Sequence, residues 1–270
     1  MSVIIPTFNR SLVIGRAIDS VLAQSYLPHE IIVIDDGSTD QTGEVLARYR
    51  GSITVLTQKN KGVSAARNAG IRISSGDWIA LLDSDDEWLN NKLARQVQTL
   101  VANPEFQVCH TDEIWVRNGR RVNAMKKHAK PNGWIFSQCL PLCCVSPSSI
   151  LISREVLNHI GTFDESLPAC EDYDLWLRVF CCYAIVFVPE YLMKKYGGHS
   201  DQLSRLYWGM DRFRVRALIK VLESGQLNEV NEREAREVLC TKLYILMNGF
   251  QKRGKLEEYG LYQSLLDKWS

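Results

Sequence analysis

Over the first hundred residues, short apolar runs alternate with segments of helical spacing. Val3-Ile4-Ile5 reads as a short buried strand that ends at Pro6, with Thr7-Phe8-Asn9-Arg10 as the turn. Ile14, Ile18, Val21 and Leu22 then fall on one helical face. Glu30 to Asp35 is a second strand, and Asp35 to Asp40 combines turn residues with helix N-cap candidates ahead of Val45, Leu46 and Tyr49. Ile53 to Leu56 is a third strand, and Asn60-Lys61-Gly62 turns the chain into a helix from about Val63 to Ser74. Ile79 to Leu82 is apolar at every position, the pattern of a strand buried on both faces. This β-α-β-α-β-α-β order predicts a parallel, doubly wound α/β sheet.

The pattern changes after a helix predicted over residues 89–101. Gln107 to Val116 and Arg121 to Ala124 flank Asn118-Gly119, a hairpin signal. Trp134 to Leu142 fits no single element. Ser146-Pro147-Ser148-Ser149 is a polar turn before a strand at Ile150 to Ile152, followed by a short helix over 155–160. Leu175, Trp176 and Val179 mark another helix, with Glu171 and Asp172 at its N-terminus. Ala184 to Val188 is a strand closed by Pro189, and Lys194 to Ser200 reads as a flexible segment. From Asp201 the spacing is helical to the end. The stripes Leu218, Ile219, Leu222 and Val238, Leu239, Leu243, Leu246, Met247 are expected to pack on the main domain or on a second copy in a homodimer. The expected division is therefore 1–200 for the α/β domain, in halves 1–100 and 101–200, and 201–270 for a C-terminal helical extension.

Composition narrows the function. The 270 residues are 46% hydrophobic, enough for a sizeable core, and the net charge of +1 gives no reason to expect nucleic-acid binding. No apolar run approaches the roughly 18 residues of a membrane-spanning helix. Strand-like sequence from Ser2 leaves no room for a signal peptide, so a cytoplasmic location is expected. None of the eight cysteines forms C-x-x-C, and they read as reduced, mostly buried small hydrophobes; a metal cluster of Cys139, Cys143 and Cys144 is the weaker alternative. Six basic and no acidic residues lie from Arg117 to Lys130. They form either a solvated hairpin or a rim attracting an anionic acceptor or the inner membrane face, through peripheral contact.

The chemistry concentrates where strands end. The run Ile79 to Leu82 stops at Asp83, Asp85, Asp86 and Glu87. At the carboxyl edge of a parallel sheet, where ligands bind, such carboxylates suit Mg²⁺ or Mn²⁺ together with substrate phosphates. The plain alternative is a solvated acidic loop capping the next helix; the spacing does not fit a calcium EF-hand. Asp35 and Asp36 end a second strand on the same edge. Glu171 and Asp172 either cap their helix or aim a general base into the cleft. His199, between two glycines and a serine, is a metal ligand, a diphosphate contact or a surface histidine.

The segments Val3-Ile-Ile-Pro-Thr-Phe-Asn9, Val33-Ile-Asp-Asp-Gly-Ser-Thr-Asp40, Gly62-Val-Ser-Ala-Ala-Arg-Asn-Ala-Gly70, Leu82-Asp-Ser-Asp-Asp-Glu-Trp88 and Glu171-Asp172 together resemble the inverting family 2 glycosyltransferases of GT-A fold. The likeness is dense over 1–100, weaker to about 200 and absent beyond. It implies a nucleotide-sugar donor, a saccharide or lipid-linked acceptor of the kind used in bacterial surface-polysaccharide assembly, and a divalent Mn or Mg cofactor. It also implies roles: Pro6 and Phe8 lining the nucleoside pocket, Asp36 on the base (a uracil imide fits), and Arg67 near ribose or phosphates. Asp83 and Asp85 form the D-x-D, with Asp85 on the metal and Asp86 assisting; Asp172 of the Glu171-Asp172 pair is the base, and His199 is a further metal or phosphate ligand. A sugar nucleotidyltransferase is the competing enzyme class, but Pro6 to Asn9 lacks the glycine-rich phosphate loop it needs. A non-catalytic carbohydrate-binding scaffold would be expected to have lost one of the acidic motifs, and both are present.

Overall fold

The computed structural model describes residues 1–123, 125, 128–198 and 206–270. In chain order the strands are β1 (Ser2–Thr7), β2 (Glu30–Asp35), β3 (Thr54–Thr57), β4 (Trp78–Leu81), β5 (Glu87–Trp88), β6 (Val108–Arg117), β7 (Arg120–Val122), β8 (Leu151–Ser153) and β9 (Val186–Gly197). The helices are α1 (Ile14–Leu22), α2 (Thr42–Ala47), α3 (Val63–Ile73), α4 (Lys92–Ala102), α5 (Phe136–Cys139), α6 (Arg154–Ile160), α7 (Glu171–Phe180), α8 (Asp211–Glu223), α9 (Glu229–Lys252) and α10 (Leu256–Trp269).

The strands form one sheet in the order β3-β2-β1-β4-β8-β6-β9-β5, with β7 hairpinned onto β6. Strands β1 to β4 are mutually parallel, as the alternation predicts. Only β8 among the inner strands is reversed, pairing antiparallel with both β4 and β6. Strands β6 and β9 therefore run with β4, and the carboxyl ends of β1, β2, β4, β6 and β9 share one edge. The every-position burial of the β4 run follows from its place inside the sheet. Ile79 and Leu81 join the core on one face, while Ala80 and Leu82 join the core on the other. Helix α3 lies so close to β1 that a Cβ at Gly70 would fall 2.4 Å from Ile4 Cγ2.

Several local expectations are corrected. β1 continues through Pro6 to Thr7. Ile4 accepts the Leu82 N–H on the β4 side, and Pro6 faces the same way beyond the last β1–β4 pair. Its missing N–H thus costs no ladder bond. β9 likewise runs through Pro189. Thr111 pairs with Val188 and Asp112 with Tyr191, so the proline sits in a bulge, where the ladder asks nothing of it. The segment Lys194 to Gly197, read as flexible, is the end of that strand. Leu22 and Val101 were grouped with buried faces but are exposed. In their place α4 buries Lys92 and Gln96: the Lys92 Nζ lies 4.0 Å from the Trp88 ring centroid and donates to Gln96 Oε1. Burial pushes the Lys92 pKa down to about 7.

The hairpin turn has positive φ at both Asn118 and Gly119, the type I′ geometry that their dipeptide predicts. The apolar faces of α8, α9 and α10 share one continuous core with α5, α6 and α7. Among the described residues, no helix is long and apolar enough to cross a membrane.

Candidate active site

At the carboxyl edge the β4 loop sorts its carboxylates by alternation: Asp83 and Asp85 are half-exposed, Ser84 and Asp86 buried. Asp86 turns inward, accepting the Ser148 hydroxyl at 2.6 Å and the Tyr196 N–H at 3.0 Å. Burial and the neighbouring Asp85 and Asp83 push its pKa well above the usual carboxylate range. The same Ser148 hydroxyl accepts the Asp83 N–H, so one buried serine fixes both ends of the turn. The side chain that the sequence offers as an auxiliary metal ligand is thus a structural anchor, because its oxygens are used inside the protein.

Arg67 joins this loop to the second acidic motif. From α3 it donates at 2.7 Å to Asp83 Oδ1 and at 2.7 Å to Glu171 Oε1 in the first turn of α7. Its guanidinium is 3% exposed and lies 5.0 Å from the Phe163 ring centroid. Burial works against its charge, but the two carboxylates hold its pKa above the ordinary arginine value. Burial and Asp172 raise the pKa of Glu171, against the pull of Arg67. Asn68, next along α3, pins the loop leading to α7 by donating to the Phe163 carbonyl and accepting the Phe163 N–H. Two neighbours in the Gly62–Gly70 motif thereby set where α7 begins.

Asp172 is half-exposed beside this bridge. Its Oδ1 accepts the Tyr173 N–H at 2.7 Å, and its Oδ2 accepts the Cys143 thiol at 3.3 Å. Asp174, the third carboxylate of that turn, is buried between Arg178 at 2.8 Å and Lys220 of α8 at 3.2 Å. It ties α8 of the C-terminal extension to α7.

Asp36 is less available to a ligand than the sequence suggests. Oδ1 accepts Gln58 Nε2 and the Lys61 N–H, and Oδ2 accepts the Gly62 N–H at 2.8 Å. A carboxylate has about four lone-pair positions, so about one is left after the loop into α3 has been clamped. Pro6 is buried in β1, while Phe8 stands exposed at its mouth. His199 lies outside the described residues.

The donor set can be tested against Mg²⁺ or Mn²⁺. Among the described residues no three His, Cys, Asp or Glu side chains are grouped to cage a metal. A dedicated all-protein cage is not the usual arrangement for Mg²⁺, which takes one or two carboxylates plus substrate phosphates. Asp85, with Asp83 beside it, fits that smaller set; Asp86 does not.

Sequence reasoning missed several residues here. Lys195, on β9, donates to Ser146 Oγ at 2.8 Å. Burial opposes its charge, but Glu113, Asp86, Asp83 and Asp172 together hold its pKa above the ordinary lysine value. Arg16 donates to the Asp85 carbonyl and stacks 3.7 Å from the Tyr196 ring centroid. A lysine in strand alternation and an arginine in an apolar helix were the available signals. The sequence offered Cys143 only as a small buried hydrophobe or, as the weaker alternative, a metal ligand with Cys139 and Cys144, not as a partner of Asp172. A cavity of about 280 Å³, lined by Trp115, Arg121, His128 and Tyr191 among others, opens along the β6–β7 hairpin. Lys130, on its wall, binds Glu113 and the Cys144 carbonyl.

The family model described as Glycosyl transferase family 2 matches residues 2–161. The chain is 32% identical over 205 residues to the uncharacterized glycosyltransferase RP339 of Rickettsia prowazekii, covering 72% of this chain and 63% of that protein. It is 33% identical over 181 residues to the UDP-Glc:alpha-D-GlcNAc-diphosphoundecaprenol beta-1,3-glucosyltransferase WfgD of Escherichia coli, covering 66% of this chain and 69% of that protein. The alignments span 63%, 35%, 35% and 31% of the length of four Rickettsia relatives. Among solved structures, S. aureus TarS 1-349 in complex with UDP-GlcNAc superposes with a TM-score of 0.75 at 21% identity, over 99% of this chain and 80% of that one. The mannosyltransferase PcManGT from Pyrobaculum calidifontis, in complex with GDP-Man and Mn2+, gives 0.63 at 16% identity, over 98% and 82%. At these identities the likeness establishes the fold.

Proposed function

This chain belongs to glycosyl transferase family 2 and has a GT-A fold, and from that premise we propose that it moves a sugar from a UDP-sugar to a hydroxyl of a saccharide or lipid-diphosphate-linked acceptor, with inversion. One observation carries the reading: Arg67 holds Asp83 and Glu171 in a single bridge. The D-x-D loop and the Glu171-Asp172 pair are therefore joined through one arginine at the ligand-binding edge of the sheet. The UDP preference is supported by the UDP-Glc donor in the name of WfgD, the ligand of TarS, and the remaining lone pair of Asp36 for an imide N–H. Exposed Arg117, Arg120 and Arg121 suit an anionic, lipid-linked acceptor near a membrane surface.

In this reading Asp172 takes the acceptor proton through whichever oxygen faces the hydroxyl, while the Tyr173 N–H and the Cys143 thiol hold its plane. The acceptor oxygen attacks the anomeric carbon opposite the departing diphosphate, and one displacement inverts the centre. Asp85 and Asp83 would hold a divalent cation, which when bound offsets the charge growing on the diphosphate. Lys195 places a second positive charge behind these carboxylates and limits their mutual repulsion.

The test is a thermal-shift series with UDP-, GDP- and dTDP-sugars, each with and without Mn²⁺, paired with a transfer assay. A UDP-sugar at a hundred times its Kd adds about 2.7 kcal/mol to stability. That shift is expected to grow with Mn²⁺ and to vanish in Asp85→Ala. Asp172→Asn is expected to keep the shift and lose about 10²- to 10⁴-fold in transfer. No shift with any nucleotide sugar, or near-normal transfer by Asp172→Asn, would overturn the reading.

A further inference from the structure

Three cysteines gather behind the proposed base. Cys139 ends α5, and Cys143 and Cys144 follow in the loop that leads to Ser146. The Cys139 and Cys144 sulfurs lie 2.8 Å apart, and both cysteines are free. A disulfide needs about 2.05 Å, so an approach of roughly 0.8 Å closes the bond. Between them, Cys143 divides its thiol between the Val145 carbonyl at 3.2 Å and Asp172 Oδ2 at 3.3 Å.

The same loop is tied to α7 at two residues that follow Asp172. The Tyr173 hydroxyl donates to the Leu140 carbonyl at 2.6 Å, and Trp176 Nε1 donates to the Val145 carbonyl at 2.9 Å. Lys242 of α9 donates to the Pro141 carbonyl and Lys130 to the Cys144 carbonyl. A loop held at this many points transmits a displacement of Cys144 to its neighbours.

We propose that Cys139 and Cys144 form a reversible disulfide that withdraws the Cys143 thiol from Asp172 and so slows transfer; the effect on transfer rests on the reading of Asp172 given above. The co-reactant is a low-molecular-weight disulfide. The Cys144 thiolate attacks one of its sulfurs, the S–S bond breaks, and one small thiolate leaves. Cys139 gives up its proton and its sulfur attacks Cys144 Sγ in the mixed disulfide, releasing the second small thiolate. The protein pair loses two electrons, the small disulfide gains them, and the two protons end on the released thiols. Cys144 suits the first step: it is half-exposed, and the Cys139 hydrogen bond together with Lys130 favours its thiolate. Cys139 is buried beside it as the resolving thiol.

Reduced full-length protein treated with glutathione disulfide provides the test, read by peptide mass and by transfer rate. The peptide carrying all three cysteines is expected to lose two hydrogen atoms, with the link assigned to Cys139 and Cys144, and to regain them with dithiothreitol. Cys139→Ser and Cys144→Ser should each abolish that loss. Transfer should fall about tenfold to a hundredfold on oxidation and recover on reduction, with UDP-sugar affinity unchanged within about twofold. The double variant Cys139→Ser/Cys144→Ser should keep its rate in oxidant. A glutathione adduct that never closes, a link through Cys143, or a double variant that loses rate as the wild type does would overturn the proposal. A reduced wild type that binds no nucleotide sugar and transfers nothing would instead fail the functional reading, and the peptide mass alone would then decide the disulfide.

Discussion

The loop after β4 and the first turn of α7 each carry three carboxylates, and each assigns them in the same way. One is buried for structure, one is held by Arg67 (half-exposed Asp83, buried Glu171), and the third is half-exposed. In the β4 loop these are Asp86, Asp83 and Asp85; in α7 they are Asp174, Glu171 and Asp172. The difference lies in the buried member. Asp174 is neutralised by two cations, whereas Asp86 is satisfied by a hydroxyl and a backbone N–H. A buried carboxylate paired with cations bonds elements together. One without a bonded cation drifts towards its neutral form. Acidic residues adjacent in sequence can therefore do unlike work, and their partners decide which.

Four substitutions probe this comparison and the charges around it. The largest effect is expected from Arg67→Met, which leaves Asp83 and Glu171 without their shared partner. Breaking a buried pair costs about 3–5 kcal/mol, readable from the urea midpoint at neutral pH. A loss below about 1 kcal/mol would mean the two clusters are held together by something else.

Next comes a matched pair. Asp174→Asn strands Arg178 and Lys220 and should cost about 2–4 kcal/mol. Asp86→Asn replaces a carboxyl already favoured in its neutral form and should cost less than about 1 kcal/mol. Equal losses would erase the distinction between the two buried members.

The last effect is confined to acid, a pH slope at Glu113. Burial opposes its charge, but Lys130 and Lys195 bring its pKa from 4.5 down to about 2. A folded pKa below the unfolded one means the unfolded chain binds more protons between these values. The stabilisation is therefore full above about 4.5 and lost as pH falls towards about 2. Glu113→Gln should flatten the acid loss of stability in that window by about 1–3 kcal/mol, and parallel curves for the two proteins would remove the cation-paired account of Glu113.

Much of the fold was legible because its signals are local. An apolar run that ends in carboxylates, an Asn-Lys-Gly turn into a helix, and an Asn-Gly hairpin each depend on a few adjacent residues. The prolines misled for the opposite reason. Pro6 and Pro189 break strands by rule, yet Pro6 lies beyond the end of one pairing and Pro189 in a bulge. Neither circumstance is visible without the neighbouring strand. Lys195 was hidden by the same error, since a segment read as flexible offers no reason to expect a side chain inside the site.

By itself the sequence determined the parallel alternation, the chain's burial pattern at Ile79 to Leu82, and which carboxylates could reach the ligand-binding edge. Those follow from periodicity and from residue chemistry, which are properties of short stretches. Only the tertiary structure decided that Arg67 spans the two acidic motifs, that Asp86 and Asp174 face inward, that Asp36 clamps a loop, and that Cys143 touches Asp172. These are contacts between residues 16 to 104 positions apart along the chain. Such contacts are fixed by how helices and strands pack rather than by any local preference.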